Sequence, residues 1–79
     1  MKNADLEKLK LIFTSILDLK DDINIENLTK LSQPNWDSLA QVSLISAIAN
    51  EFSVEIEVSE FELFTSFNAV RILLESKGI

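Results

Sequence analysis

The chain has 79 residues, 47% of them apolar, with thirteen acids against seven Lys and Arg and a net charge of -6. It has no Cys and no His, which excludes a disulfide framework, ordinary zinc, copper or iron–sulfur sites, and any His-activated nucleophile. That length makes one small domain near the lower limit for a self-supporting core.

The charge is uneven along the chain. Residues 1 to 30 carry six acids and five Lys, residues 31 to 70 carry six acids and no base, and residues 71 to 79 hold Arg71, Glu75 and Lys77. A field of that sign repels phosphate backbones, so nucleic acid is not the expected partner, and a basic protein surface suits it better. Lys2 is followed by Asn3, Asp5 and Glu7 rather than by an apolar stretch of signal-peptide type, and no uncharged run reaches membrane-spanning length. The expectation is a cytoplasmic protein with no membrane span.

One Gly and one Pro leave few breaks, so the pattern predicts helices. Asn3 is the expected N-cap of the first, with Asp5 and Glu7 in the first turn, where the helix dipole favours acids. Leu6, Leu9, Ile12, Phe13, Ile16 and Leu17 follow at helical spacing. Residues 18 to 37 form a long connection in which Ile23, Ile25, Leu28 and Leu31 recur, so it is expected to be pinned to the core, with Trp36 wedged against the bundle.

Pro34 and Asn35 break the chain before a second helix running from about Asp37 or Ser38 to Phe52. Leu44, Ile45, Ile48 and Phe52 form its core stripe, and Ser38, Leu39, Val42, Ser46 and Ala49 its opposite face. No residue from Ser38 to Asn50 is charged. Val54, Ile56 and Val58 alternate as a strand would, but a lone strand has nothing to pair with, so they read as an extended connector. A short third helix is expected around Ser59 to Phe64. Ser66 then caps the last helix, with Phe67, Val70, Leu73 and Leu74 inward, Phe52, Phe64 and Phe67 in the core, and Gly78 at the stop. The fold expected is all-α: a single domain, residues 1 to 79, of three main helices and one short one, with a long loop between the first two.

Catalysis fails on inventory. A nucleophilic Ser needs a neighbouring base, and none of the Lys lies near Ser38 in sequence. Glu55 with Glu57, or Glu60 with Glu62, could pair as carboxylates, but acids so spaced are more often solvated surface, and no Gly-rich loop offers a phosphate cradle.

Asp37-Ser38-Leu39 opens a helix that ends Asn50-Glu51-Phe52; Val54-Glu55-Ile56, a short acidic helix and Thr65-Ser66-Phe67 follow. Across nearly the whole chain this order resembles the acyl carrier protein family. The resemblance implies that Ser38 is a substrate: a phosphopantetheinyl transferase joins its hydroxyl to 4'-phosphopantetheine from coenzyme A, and the thiol of that arm carries acyl groups as thioesters. It implies a non-enzymatic, monomeric carrier visited by acyl-loading and acyl-transferring enzymes, with Asp37, Leu39, Val42 and Glu51 as partner contacts. A helix N-terminus suits the added phosphodiester, and a carrier whose sulfur belongs to its arm needs no Cys.

The chain departs from the pattern of fatty-acid synthesis. Where that pattern places acids along the second helix, this one has Ala40, Ser43, Ala49 and Asn50, leaving Glu51. A dedicated carrier of a specialised pathway is therefore expected, with the acids of residues 55 to 62 as an alternative contact for a basic partner. The other readings are a peptidyl or aminoacyl carrier, which more often has Gly before the Ser, and a helical interaction module that is never modified.

Overall fold

A computed structural model describes residues 1–79. Three α-helices form the bundle: α1 (Asn3–Leu17), α2 (Ser38–Phe52) and α3 (Phe67–Ser76). A short 3-10 helix, Val58–Leu63, leads into α3, and one 3-10 turn, Ile25–Asn27, lies in the loop after α1. α1 packs chiefly on α2, while α3 rests on the 3-10 turn of the loop and on the short helix. The expected all-helical bundle with a long first connection is the observed one.

Fourteen buried residues make the core, and all are apolar. α1 contributes Leu9, Phe13 and Leu17, α2 contributes Leu44, Ile45 and Ile48, and α3 contributes Phe67, Val70, Leu73 and Leu74. These recur every three or four residues, which keeps them on one face of each helix. Leu6, Ile12, Ile16 and Phe52 sit at the edges of their stripes and are half-buried. Phe13 stands at the centre, edge-on to Trp36 at 5.4 Å and to Phe67 at 5.1 Å.

Helix ends depart from expectation in informative ways. Lys2, not Asn3, occupies the cap position of α1: the ladder starts with Leu6 N–H donating to Lys2 C=O at 3.0 Å, and the ammonium of Lys2, which can only donate, makes no side-chain cap bond. α1 and α2 stop without Gly. Asp18 and Ser53 each take a left-handed conformation with φ 52°. The next residues, Leu19 and Val54, donate back to Thr14 and Ala49, both at 3.1 Å, which satisfies orphan carbonyls and turns an apolar residue inward. Gly78, φ 92°, makes the same stop after α3, with Ile79 donating to Leu74 at 3.1 Å.

The loop is pinned, but not by all four of the residues expected. Leu28 is buried and Ile25 half-buried, whereas Ile23 is exposed and Leu31 wholly so. A Thr29–Ser32 turn, closed by Ser32 Oγ donating to the Thr29 carbonyl at 2.9 Å, lifts Leu31 away from the core. Phe67 N–H donates to Leu28 C=O at 3.0 Å and Lys30 N–H to Thr65 C=O at 2.9 Å, tying the loop to the start of α3.

The connector after α2 is extended, as expected. The short helix starts at Val58, one residue early, because Glu57 and Glu60 form a capping box around that start. Lys77 Nζ donates to Glu60 Oε1 at 2.8 Å. The acids of residues 55 to 62 are therefore not all available to a basic partner: folding brings a cation to Glu60 from seventeen positions away. The hydrogen bond from Lys77, then the Glu57 N–H, holds the Glu60 carboxyl below its ordinary value, against a smaller opposing effect of burial.

Candidate attachment site at the start of α2

The turn before α2 is held on both sides. Asn35 Nδ2 donates to the Leu17 carbonyl at 3.0 Å, anchoring the loop to the end of α1. Trp36 N–H donates to Gln33 C=O at 3.0 Å, and its indole is buried against Phe13. The expectation that Trp36 wedges the loop against the bundle is met.

Asp37 is the N-cap of α2, its Oδ1 accepting from Ala40 N–H at 2.8 Å. Ser38 is the first residue of the helix and is exposed. Its hydroxyl is thus left without the capping task that a Ser at a helix start usually performs. The cap takes one of the N–H groups at this end, and those of Ser38 and Leu39 lie before the first intrahelical bond, Gln41 to Asp37 C=O at 2.9 Å. Two unbonded N–H groups beside an accessible hydroxyl make a local environment favourable to an anion.

Leu39 and Val42 stand next to Ser38 with 78% and 59% of their surface exposed. A cleft of about 370 Å³ runs alongside, between the end of α1, Pro34–Asn35 and the first turn of α2, with Leu39, Ala40 and Ser43 on its near wall. Glu51 is exposed but is not gathered into this site. Thirteen residues at a helical rise place it roughly 20 Å along α2 from Ser38, beside Lys8 and Leu11 in a separate groove against α1.

A larger cleft, about 600 Å³, opens around Ser66, Asn68 and Arg71. Several of its polar groups are already engaged: Ser66 Oγ accepts from Ala69 N–H at 2.9 Å, and Arg71 bonds Glu75 at 3.1 Å and Asn68. The side chains bring together no group of three or more His, Cys, Asp and Glu able to hold a metal. No helix is long and apolar enough to cross a membrane.

Gln41 is the functional-region residue that pattern reading missed. Its Oε1 accepts from Trp36 Nε1–H at 2.7 Å, and its Nε2 donates to the Phe61 carbonyl at 2.9 Å. The available signal was the indole itself: a buried Trp N–H needs an acceptor, and Gln41 is the first residue after Asp37 with a long polar side chain.

No family model matches the chain. Over 75 residues, 95% of this chain, it is 33% identical to orsellinic acid synthase ArmB of Armillaria ostoyae. The chain spans about 3% of the length of that curated relative. A similarity covering almost all of a small helical domain and a small fraction of a synthase relates this fold to one segment of a much larger biosynthetic protein.

Proposed function

We propose that the chain is an acyl carrier protein, a single domain over residues 1–79 whose Ser38 receives 4'-phosphopantetheine. The observation that carries the reading is the division of labour at α2: Asp37 caps the helix, so the exposed Ser38 hydroxyl is free to be modified without structural loss. The similarity of nearly the whole chain to a segment of a synthase supports it.

In this reading Ser38 Oγ bonds to the phosphorus on the pantetheine side of the coenzyme A pyrophosphate. The bond from that phosphorus to the adenosine bisphosphate leaving group breaks, and the hydroxyl proton passes to a base of the transferase. The chain's part is to present the hydroxyl, since it has no His of its own to activate it. The free N–H groups of Ser38 and Leu39 are the ones that would hold the phosphodiester anion. When bound, the arm supplies a thiol that carries acyl groups as thioesters between loading and transferring enzymes. The relative is named as the synthase of an acid rather than of a peptide, which supports acyl over aminoacyl cargo. The protein acts as a monomeric carrier in the cytoplasm, in a specialised pathway, with Leu39 and Val42 beside Ser38 as contacts for its enzymes.

The test is incubation with coenzyme A and a permissive phosphopantetheinyl transferase, read by intact mass and by peptide mapping. One pantetheine phosphate on Ser38 is the expected result. A wild-type chain left unmodified while a known carrier in the same tube is converted would overturn the reading.

A further inference from the structure

Ser38 is exposed, so residues around it must fix where its hydroxyl stands. The residues on either side of it are tied down unequally. Asp37 is held only within its own helix, its carboxylate accepting from Ala40 N–H and its C=O from Gln41 N–H. Trp36 is held by the core: 3% exposed, edge-on to Phe13, with its indole N–H donating to Gln41. Gln41 in turn donates to the Phe61 carbonyl of the short helix. That carbonyl also accepts from Phe64 N–H at 3.2 Å, so the amide of Gln41 engages a backbone group already in a helical turn.

We propose that Gln41 is a positioning residue for Ser38, a latch joining the Trp36–Asp37 turn, the first turn of α2 and the Val58–Leu63 helix. The inference rests on the acyl-carrier reading for its reaction, and on the hydrogen-bond chain for its mechanism. The two bonds use opposite ends of one amide, so the oxygen must face Trp36 and the nitrogen Phe61. An indole N–H has no acceptor capacity and a carbonyl has no donor, which leaves one orientation. Gln41 sits one turn beyond Asp37, and its backbone N–H makes the first bond of the helix, to Asp37 C=O. The same residue thus holds the turn before Ser38 through its side chain and the turn after it through its backbone. An acceptor hydroxyl delivered to another enzyme's active site gains rate from being held in one geometry.

Trp36 is the only Trp in the chain, and there is no Tyr, so intrinsic emission reports this site alone. The experiment compares wild type, Gln41→Met and Gln41→Glu as full chains. Met keeps the volume and helix preference and makes neither bond. Glu still accepts from the indole but does not donate to Phe61. For Gln41→Met, kcat for pantetheine transfer should fall about tenfold with KM within about twofold. Trp36 emission should shift to longer wavelength, and amide exchange at Glu60 and Phe64 should quicken. Partial unfolding would act differently: it dilutes the competent carrier and raises apparent KM, leaving kcat reachable at saturation.

For Gln41→Glu, kcat should stay within about threefold of wild type and the emission unchanged, while Glu60 and Phe64 exchange faster. A Gln41→Met variant with wild-type kcat, or with a raised KM alone, would show that the latch is structural only. Equal loss in Gln41→Glu and Gln41→Met would show that the bond to Trp36 is not the cause. Failure of the wild-type chain to accept the arm would defeat the carrier reading instead, and this inference with it.

Discussion

Two serines open helices in this chain, and they do opposite things. Ser66 is the N-cap of α3: its hydroxyl accepts from Ala69 N–H, it is half-buried, and it takes part in the single antiparallel bridge with Thr29. Ser38 lies one position further into its helix, exposed, with Asp37 doing the capping. Their neighbours differ in the same sense. Ser66 is followed by Phe67, buried against Phe13, while Ser38 is followed by Leu39, mostly exposed. Moving a Ser by one residue relative to its cap separates a hydroxyl that stabilises the fold from one left exposed and without a structural task.

The sharpest way to break that contrast is to remove each hydroxyl. Ser38→Ala should abolish pantetheine attachment and leave the melting temperature close to wild type. Ser66→Ala should accept the arm normally but lose about 1 kcal/mol of stability, which for a domain of this size lowers the midpoint by roughly 4–8 °C. Intact mass and thermal melts on the same two variants check both. An arm acquired by the Ser38→Ala variant would remove the site, and a large loss of stability in it would make Ser38 structural.

The apolar neighbours extend the comparison. Phe67→Ala should cost about 3–5 kcal/mol, as deletions of buried aromatic rings do. Leu39→Ala should stay within about 0.5 kcal/mol of wild type, since it empties nothing. Its effect should appear in binding. In the pantetheine-loaded protein, Leu39→Ala and Val42→Ala should each weaken the complex with a cognate loading enzyme more than Glu51→Gln. Exposed ion pairs typically contribute only ~0.2–1 kcal/mol, and apolar contact is little affected by salt. Binding measured across a salt series decides: collapse of affinity with salt, together with a larger loss for Glu51→Gln, would mean that charge rather than the apolar face holds the partner.

The difference between the serines also marks what the sequence could and could not convey. The helices were legible because burial enforces a period, as in Leu9, Phe13 and Leu17. The extended connector was legible because a lone strand has no partner. The triplet around Ser38 could be placed at a helix start, but whether Asp37 or Ser38 caps α2 depends on backbone angles that either residue accepts. The same degeneracy hid the stops of α1 and α2, where Asp18 and Ser53 take a conformation usually given to Gly or Asn. Exposure of Leu31 depends on a local turn, and the Gln41–Phe61 and Lys77–Glu60 contacts join elements seventeen or more positions apart, so no period reveals them.

Charge gives a further contrast, between the uncharged first turns of α2 and the acidic short helix. Lys77 and the Glu57 N–H favour the charged form of Glu60 in the folded state, so its folded pKa lies below the unfolded value. A carboxyl so depressed adds stability above its unfolded pKa, and that contribution is lost as pH falls through the folded one. Stability should therefore decline as pH drops below about 4.5, and the decline should be shallower in Glu60→Gln and in Lys77→Met. Denaturant midpoints between neutral and strongly acidic pH measure it. An identical pH slope in all three proteins would show that the pair does not couple to folding.

The smallest effect expected lies at the caps themselves. Asp37 places a carboxylate at the helix start where the proposed phosphodiester would also stand, whereas Ser66 caps α3 with a neutral oxygen. Two unit charges a few ångströms apart in water repel by at most roughly 1 kcal/mol, and the favourable interaction of an anion with a helix N-terminus is of similar size, about 0.3–1 kcal/mol. The two nearly cancel, so the arm should be close to neutral for stability in the wild type. Asp37→Asn keeps a side-chain oxygen for Ala40 N–H, and Asn and Asp are comparable caps. The unmodified variant should therefore match wild type, while its modified form gains a few tenths of a kcal/mol over its unmodified form at low salt. That gain should fade at physiological ionic strength, where the Debye length is about 8 Å. Asp37→Ala, which deletes the cap, should lose about 1 kcal/mol in both forms and at every salt concentration. Paired melts of modified and unmodified protein at low and moderate salt separate the two effects. If Asp37→Asn destabilises both forms as much as Asp37→Ala, the cap depends on the charge of Asp37. If the arm shifts wild type and Asp37→Asn equally at low salt, the phosphodiester and the carboxylate do not share the same end of α2.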